Sequence, residues 1–385
     1  MTRTEKLLAE LIALPSVNPA FAPSDAALAR PILLRQTKYG EKNVADFLAA
    51  VAAHAGLEIE LQEVLPDAPI SSRACVRPEK SAAPSCSRPH LDTVVAEKSQ
   101  FIPRRKNGRM HGRGACDTKG SAAAMFTALC ELAENGSRPQ ETEIIFAGLI
   151  DEENEQAGSR ALAASGFKAD LAIVGEPTKL KVVTAHKGSL WLQLVTHGRA
   201  AHGATPQLGK NAVHEMARIV DVLEMDYAAQ LRRRKHKLLG TGTVSVGTIS
   251  GGSQPNIVPD LCTISIDRRT LPGETETAVR REIAALLKSK KLSATFSSAK
   301  LAPALPMETN AQLPLVRDFM RIAGQKIPVG VHYFCDAAVF SAAGIPSVVF
   351  GPGDIAQAHT ADEWISLSEL ERAKNLLLRF LKSLS

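Results

Sequence analysis

Hydrophobic positions along the chain follow two rhythms. Leu7, Leu8, Leu11 and Ile12 share one helical face, and Val44, Phe47, Leu48 and Val51 form another that stops at Gly56. Leu57, Ile59 and Leu61 then alternate, which predicts a strand. A helix is predicted from Ser121 to Asn135, ended by Gly136, and is followed by the apolar run Ile144 to Ile150, a helix near Ser159 to Ser165 and a second run, Leu171 to Val174. Strands and helices alternating at this spacing predict an α/β domain with a mostly parallel sheet and helices on both faces.

The middle of the chain changes register. Strands are predicted at Leu190–Val195, Val244–Ile249, Leu261–Ile266 and Leu292–Phe296, with helices at Ala212–Leu223 and Ala278–Leu287. The order β-α-β-β-α-β is the split unit of a small ferredoxin-like domain. A helix near Leu313–Ile322, the run Ile345–Phe350 and a closing helix, Leu367–Leu384, read as the α/β domain resuming. The expected organisation is therefore one domain inserted in another: 1–185 and 300–385 form the catalytic domain, and 186–299 the insertion.

Composition narrows the function without naming it. The 385 residues are 45% hydrophobic and 22% charged, which excludes a disordered or fibrous chain. A net charge of +6 spread over the whole length is too weak to predict a nucleic-acid partner. The one dense basic run, Arg232 to Lys237, lacks interleaved aromatics and reads as a solvated loop. No stretch of 18 apolar residues occurs, and the N-terminus reads as an amphipathic helix, so neither a membrane span nor a secretory signal is expected. Six scattered cysteines without a C-x-x-C pair read as reduced thiols, which predicts a cytoplasmic protein.

Nucleotide-binding and serine-hydrolase signatures are missing: Gly114 to Lys119 does not complete a phosphate loop, and no G-x-S-x-G or H-E-x-x-H is present. What remains is a set of acids and histidines directly after apolar runs. Asp151-Glu152-Glu153 follows Ile144–Ile150, Glu176 follows Leu171–Val174, and His359 follows Ile345–Phe350. In an open α/β sheet the carboxyl ends of strands form the ligand crevice, so three strands aim such groups at one place. His90-Leu91-Asp92 adds a histidine whose neighbour two positions on shares its face and can orient the ring, as the partner of a metal-bound histidine does. Asp117 can reach the same crevice from the start of a helix.

The ordered set His90-Leu-Asp-Thr, Gly112-Arg-Gly-Ala-Cys-Asp117-Thr-Lys-Gly, Asp151-Glu-Glu153, Gly175-Glu176-Pro-Thr, Ala201-His202 and Ala358-His359-Thr resembles the di-zinc aminoacylase and carboxypeptidase family. Acetylornithine deacetylase, succinyl-diaminopimelate desuccinylase and glutamate carboxypeptidase are members. The resemblance runs from about Leu7, through Pro15-Ser-Val-Asn-Pro19, to about Phe380. It implies that Asp117 bridges two divalent metals, with His90 and Glu176 on one and Glu153 and His359 on the other. Zinc suits these ligands, with cobalt or manganese as substitutes. Glu152 is then the general base, taking a proton from a metal-activated water and passing it to the leaving amine, while Asp92 supports His90.

The same resemblance makes the insertion a lid and dimerisation domain. It implies a homodimer in which His202 enters the partner subunit's site to stabilise an oxyanion, with Asn256 and Arg268 holding the substrate carboxylate. The substrate is a small N-acyl amino acid or short peptide, with neither nucleic acid nor membrane involved. A glutamate-type carboxypeptidase or dipeptidase is the alternative activity, and an impaired homologue that binds without turnover is the alternative of another class.

Two stretches depart from the family. The bond after the bridging aspartate is cis in members; here a β-branched residue follows, Asp117-Thr118, and makes no obvious contact to offset about 3–4 kcal/mol. The segment Asp67 to Pro89, where the family has apolar strands, offers only Ile70 and Val76 as large aliphatics, and Pro84 and Pro89 argue against a central strand. His90 is accordingly expected to be held less firmly than in the family.

Overall fold

The computed structural model describes residues 1–21, 40–64, 70–76, 84–136, 138–298 and 303–384, of which 70–76, 84–86 and 298 are described by their backbone alone. Part of the atypical Asp67–Pro89 segment, the Ile70 and Val76 side chains, and the boundary expected at 299–300 therefore lie outside the described residues. The chain divides into two compact units, one of 1–184, 309–329 and 335–385, the other of 185–308 and 330–334.

The first unit contains helices α1 (Arg3–Ala13), α2 (Gly40–His54), α3 (Lys119–Glu134) and α4 (Ala157–Ala164), and strands β1 (Glu58–Glu63), β2 (Ile70–Val76), β3 (Pro84–Pro89), β4 (Glu143–Gly148) and β5 (Leu171–Gly175). After the second unit come the helices Pro314–Ile322, Ala337–Ala342 and Leu367–Leu381 and the strand Ser347–Val349. The strand order is β1-β2-β4-β3-β5 followed by Ser347–Val349. The sheet is mixed rather than mostly parallel: β3 runs parallel to both β4 and β5, and Ser347–Val349 parallel to β5, while β1 and β2 are antiparallel additions.

One hydrophobic core joins α1, α3 and the two last long helices to side chains of one parity on the strands, Ile144 and Phe146 of β4 and Leu171 and Ile173 of β5. Phe126 meets Phe146 edge-on at 5.0 Å, and Phe319 lies 4.9 Å from Phe350. The strand predicted around Ile59 and Leu61 is β1, and these two side chains are 39% and 45% exposed because β1 is the edge of the sheet.

The structure corrects the expectation for Pro84 and Pro89. β3 is a central strand, with Pro84 opposite Glu143 and Pro89 opposite Gly175. The two prolines open and close it, so neither removes an interior N–H from the ladder. The Pro89 carbonyl still accepts from the Leu149 N–H at 3.0 Å, and Leu91 donates back to the Leu149 carbonyl at 2.8 Å. His90 is bracketed by those bonds and 2% exposed.

The second unit contains β6 (Gly188–His197), α5 (Ala212–Asp221), β7 (Thr243–Gly251), β8 (Leu261–Thr270), α6 (Glu276–Ser289) and β9 (Thr295–Ser298). Its sheet runs β7-β8-β6-β9, antiparallel throughout. Strict alternation along β8 turns Cys262, Ile264 and Ile266 inward, where they join Leu192 and Leu194 of β6, Met216 and Ile219 of α5, and Val279 and Ile283 of α6. Asn211 and Thr275 cap the two helices, accepting from the N–H groups of His214 and Ala278 at 3.0 and 3.2 Å.

Candidate metal centre

Five chain segments of the first unit deliver the site, His359 coming from the stretch after the strand Ser347–Val349. β3 ends at Pro89 and presents His90, β4 leads through Leu149 and Ile150 to Asp151, and β5 ends at Gly175 before Glu176. The glycine-rich loop before α3 carries Asp117, and the Asp117-Thr118 bond is cis. Asp151 and His359 hold positive φ angles of 63° and 62°, sharp turns that redirect the chain where ligands are needed.

Asp117 stands between two histidines. Its Oδ1 lies 3.3 Å from His90 Nε2, and its Oδ2 lies 3.2 Å from His359 Nε2. His90 Nε2 is also 3.8 Å from Glu176 Oε1, and His359 Nε2 is 3.3 Å from Glu153 Oε2. Tetrahedral zinc with ligands at about 2.0–2.2 Å separates neighbouring donor atoms by about 3.4 Å. The donor spacing on either side of Asp117 fits that figure. A second observation points the same way: Glu153 Oε1 is buried with no hydrogen-bond partner among the described residues. Donor atoms of His90, Glu152 and Glu176 lie within 4.8 Å of one another, as do those of His90, Asp117 and Glu153.

Asp92 fixes this cluster without entering it. Fully buried, it accepts through Oδ1 from the Glu152 N–H at 3.1 Å, and through Oδ2 from the Glu153 N–H at 3.1 Å and Asn18 Nδ2 at 2.8 Å. His90 Nδ1 lies 3.0 Å from the Asp92 carbonyl and 3.3 Å from its Oδ1, so both acceptors of Asp92 face the far ring nitrogen. Asn18 also donates to Asp151 Oδ1 at 3.0 Å, and Glu41 accepts from the Asp151 N–H at 3.0 Å.

Crowding acids in a buried place shapes their charge. Burial pushes the Glu152 and Glu176 carboxyls well above their usual range, with neighbouring carboxylates adding to it and His90 opposing. His359, hydrogen-bonded to Asp117 and Glu153, is raised to about 10. Burial likewise raises Asp336 to about 6, although Ser159 Oγ and Gln156 Nε2 donate to it at 2.7 and 3.1 Å. Such a set of acids is relieved by cations.

The remaining expected residues lie in the second unit. His202 and Asn256 are exposed neighbours: the Gly203 N–H donates to the Asn256 carbonyl at 2.7 Å, and His202 bridges Ile257. Arg268 is placed differently from a free substrate anchor. It is fully buried, grips Glu274 at 2.8 and 2.9 Å, donates through Nε to Tyr227 Oη at 3.2 Å, and through Nη1 to the Arg269 carbonyl. A planar fork on β8 suits either partner, and the acid six residues on takes it.

Sequence reasoning gave no role to Asn18, Glu41 or Glu363. Asn18 lies in the stretch Pro15–Pro19 and Glu363 four residues after His359, but only the folded chain shows what their side chains hold.

A match to peptidase family M20/M25/M40 spans residues 86–383, well over half of the chain. The chain belongs to peptidase family M20/M25/M40. As an M20 member it is a metal-dependent amidohydrolase. It is similar to a peptidase M20 domain-containing protein of Schizosaccharomyces pombe, 32% identical over 87% of this chain and 78% of the relative. It is also similar to the acetylornithine deacetylase of Edwardsiella ictaluri, 28% identical over 96% of this chain and 95% of that one. Among solved structures, the aminopeptidase PepT of Bacillus cereus superposes with a TM-score of 0.77 at 20% identity, covering 99% of this chain and 97% of that one. An M20 metallo-carboxypeptidase of Sulfolobus solfataricus gives 0.75 at 18% identity, covering 99% of each chain. No helix of the described residues is long and apolar enough to cross a membrane.

Proposed function

We propose that this M20 chain hydrolyses the amide bond of a small N-acyl amino acid of the acetylornithine type, using two divalent ions, zinc first among them. The observation that carries the reading is Asp117, whose two carboxylate oxygens each face a different histidine and, beyond it, a different glutamate. His90, Glu176 and Asp117 would hold one ion, and His359, Glu153 and Asp117 the other. Bound there, such ions supply Lewis acidity toward the amide carbonyl and acidify a water to near-neutral pKa.

The chain's own residues do the rest. Asp92 fixes the His90 ring and, through the Glu152 and Glu153 N–H groups, the turn that carries the base. Glu152, beside both His90 and Glu176, accepts the proton of the attacking water on its carboxylate and returns it to the leaving nitrogen. His202 and Asn256, side by side on an exposed loop pair, suit oxyanion and substrate contacts supplied to a second copy through the inserted unit, which would make the working form a homodimer with that unit as lid. Four described cysteines are free thiols, in keeping with the cytoplasm.

Purified protein is expected to carry two metal equivalents and to hydrolyse N-acetylornithine in a panel with N-succinyl-diaminopimelate and C-terminal glutamate peptides. Glu152→Gln is expected to lose about 10²–10⁴-fold in kcat with its metal content unchanged. Less than one metal per chain, with no turnover across the panel, would leave the non-catalytic binding protein as the correct reading.

A further inference from the structure

The loop Gly112–Thr118 carries Asp117 between the two histidines, yet forms neither helix nor strand. A single carboxylate from a distant segment organises it. Glu363 is 2% exposed, and its Oε2 accepts from Arg113 Nη1 at 2.8 Å and from the Gly114 N–H at 2.9 Å. Its Oε1 accepts from the N–H groups of Cys116 at 2.8 Å and Asp117 at 3.0 Å. The Glu363 carbonyl accepts from the Gly112 N–H at 3.1 Å. Glu363 is also four residues from His359 and immediately precedes the strand Trp364–Ser366, which pairs with Arg109–His111 just before the loop. One residue thereby fastens the Asp117 loop to the His359 segment.

Four donors converge on this carboxylate, and the buried Arg113 meets its charge, so Glu363 has nothing to offer a cation directly. We propose that Glu363 is a positioning residue for the metal centre, setting where Asp117 stands between His90 and His359. The proposal rests on Asp117 acting as the bridging ligand. Reach matters as much as charge: a glutamine at this position turns one acceptor into an N–H₂ group facing two donors, whichever way it is flipped. An aspartate keeps the charge but withdraws it by one C–C bond, about 1.5 Å, from the Cys116 and Asp117 N–H groups.

The test uses the full chain. Zinc affinity of the parent, Glu363→Gln and Glu363→Asp is measured by competition with a chelating indicator at a temperature where circular dichroism shows each folded, and visible spectra are recorded with cobalt in place of zinc. Both variants are expected to bind zinc about 10–100-fold more weakly, with an altered cobalt spectrum. Affinity within twofold of the parent and a superimposable cobalt spectrum in either folded variant would overturn the proposal, as would a fall in apo-protein Tm with no change in affinity. A parent that binds fewer than two ions would instead overturn the bridging role of Asp117 on which the proposal stands; a parent that binds two while the variants match it defeats Glu363 alone.

Discussion

Arg88, two residues before His90, offers a sharp test of how this fold is balanced. Its side chain is fully buried in β3, with the guanidinium carbon 4.4 Å from the Phe167 ring centre and 3.9 Å from that of Phe340. None of its three nitrogens has a hydrogen-bond partner among the described residues. Each unsatisfied nitrogen costs about 1–3 kcal/mol, while two desolvated cation–π contacts return about 2 kcal/mol each. At the middle of the first range the balance is a net cost of about 2 kcal/mol. Methionine at this position keeps the length, contacts both rings through sulfur and leaves no polar group behind. Arg88→Met is therefore expected to raise Tm by about 4–8 °C, taking about 2–4 °C per kcal/mol for a unit of this size. Differential scanning calorimetry of parent and variant, each saturated with zinc, reads the shift. A Tm at or below that of the parent refutes the reasoning and means that the guanidinium satisfies its donors in solution.

Two further outcomes follow from buried groups. His186 is fully buried, its Nδ1 lies 2.9 Å from the Lys187 carbonyl and its Nε2 has no hydrogen-bond partner among the described residues, and burial lowers its pKa to about 4. The folded state then binds fewer protons than the unfolded one below about pH 6.5, so this contribution is intact above that pH and is lost as pH falls towards 4, by about 3 kcal/mol at most. Urea midpoints of parent and His186→Gln between pH 4 and 7 should converge towards acid pH, and parallel curves would exclude this group as the cause. Chelation of the metal centre is expected to lower Tm by about 5–11 °C for each ion removed if the free ion stands at about 100 times its Kd beforehand, and the loss should reverse on adding zinc. No shift would mean that the acids of the cluster are content without cations.

What the sequence disclosed and what it withheld divide along physical lines. Glu153 and Glu176 come just after apolar runs, a local signal that folding gathers beyond the ends of β4 and β5, whereas His90 and Asp117 stand out only by the His-x-Asp pair and the glycine-rich stretch that hold them. The inserted β-α-β-β-α-β order was visible because alternation along Leu261–Thr270 and helical spacing along Ala212–Asp221 are local too. Pro84 and Pro89 misled because composition alone does not say whether a proline sits inside a ladder or closes its end. Arg268 was legible as a bidentate anchor but not as one already engaged, since the partner Glu274 is chosen by the turn after β8. Glu363 could not be found at all: its role exists only where the segment after His359 meets the loop before α3.

The buried carboxylates of the first unit sort themselves by the donors they collect. Asp92 accepts from two backbone N–H groups and an asparagine amide, and Glu363 from three N–H groups and a guanidinium. Lone pairs occupied in this way are unavailable to a cation, and these two residues hold the backbone that bears Glu152, Glu153 and Asp117. Glu153 is the opposite case, one oxygen facing His359 and the other with no donor among the described residues. A buried carboxylate left that way costs free energy unless something positive completes it. Donor-saturated acids therefore build the frame and Glu153 is left with an oxygen that a cation could complete, a division that neither residue type nor sequence spacing reveals.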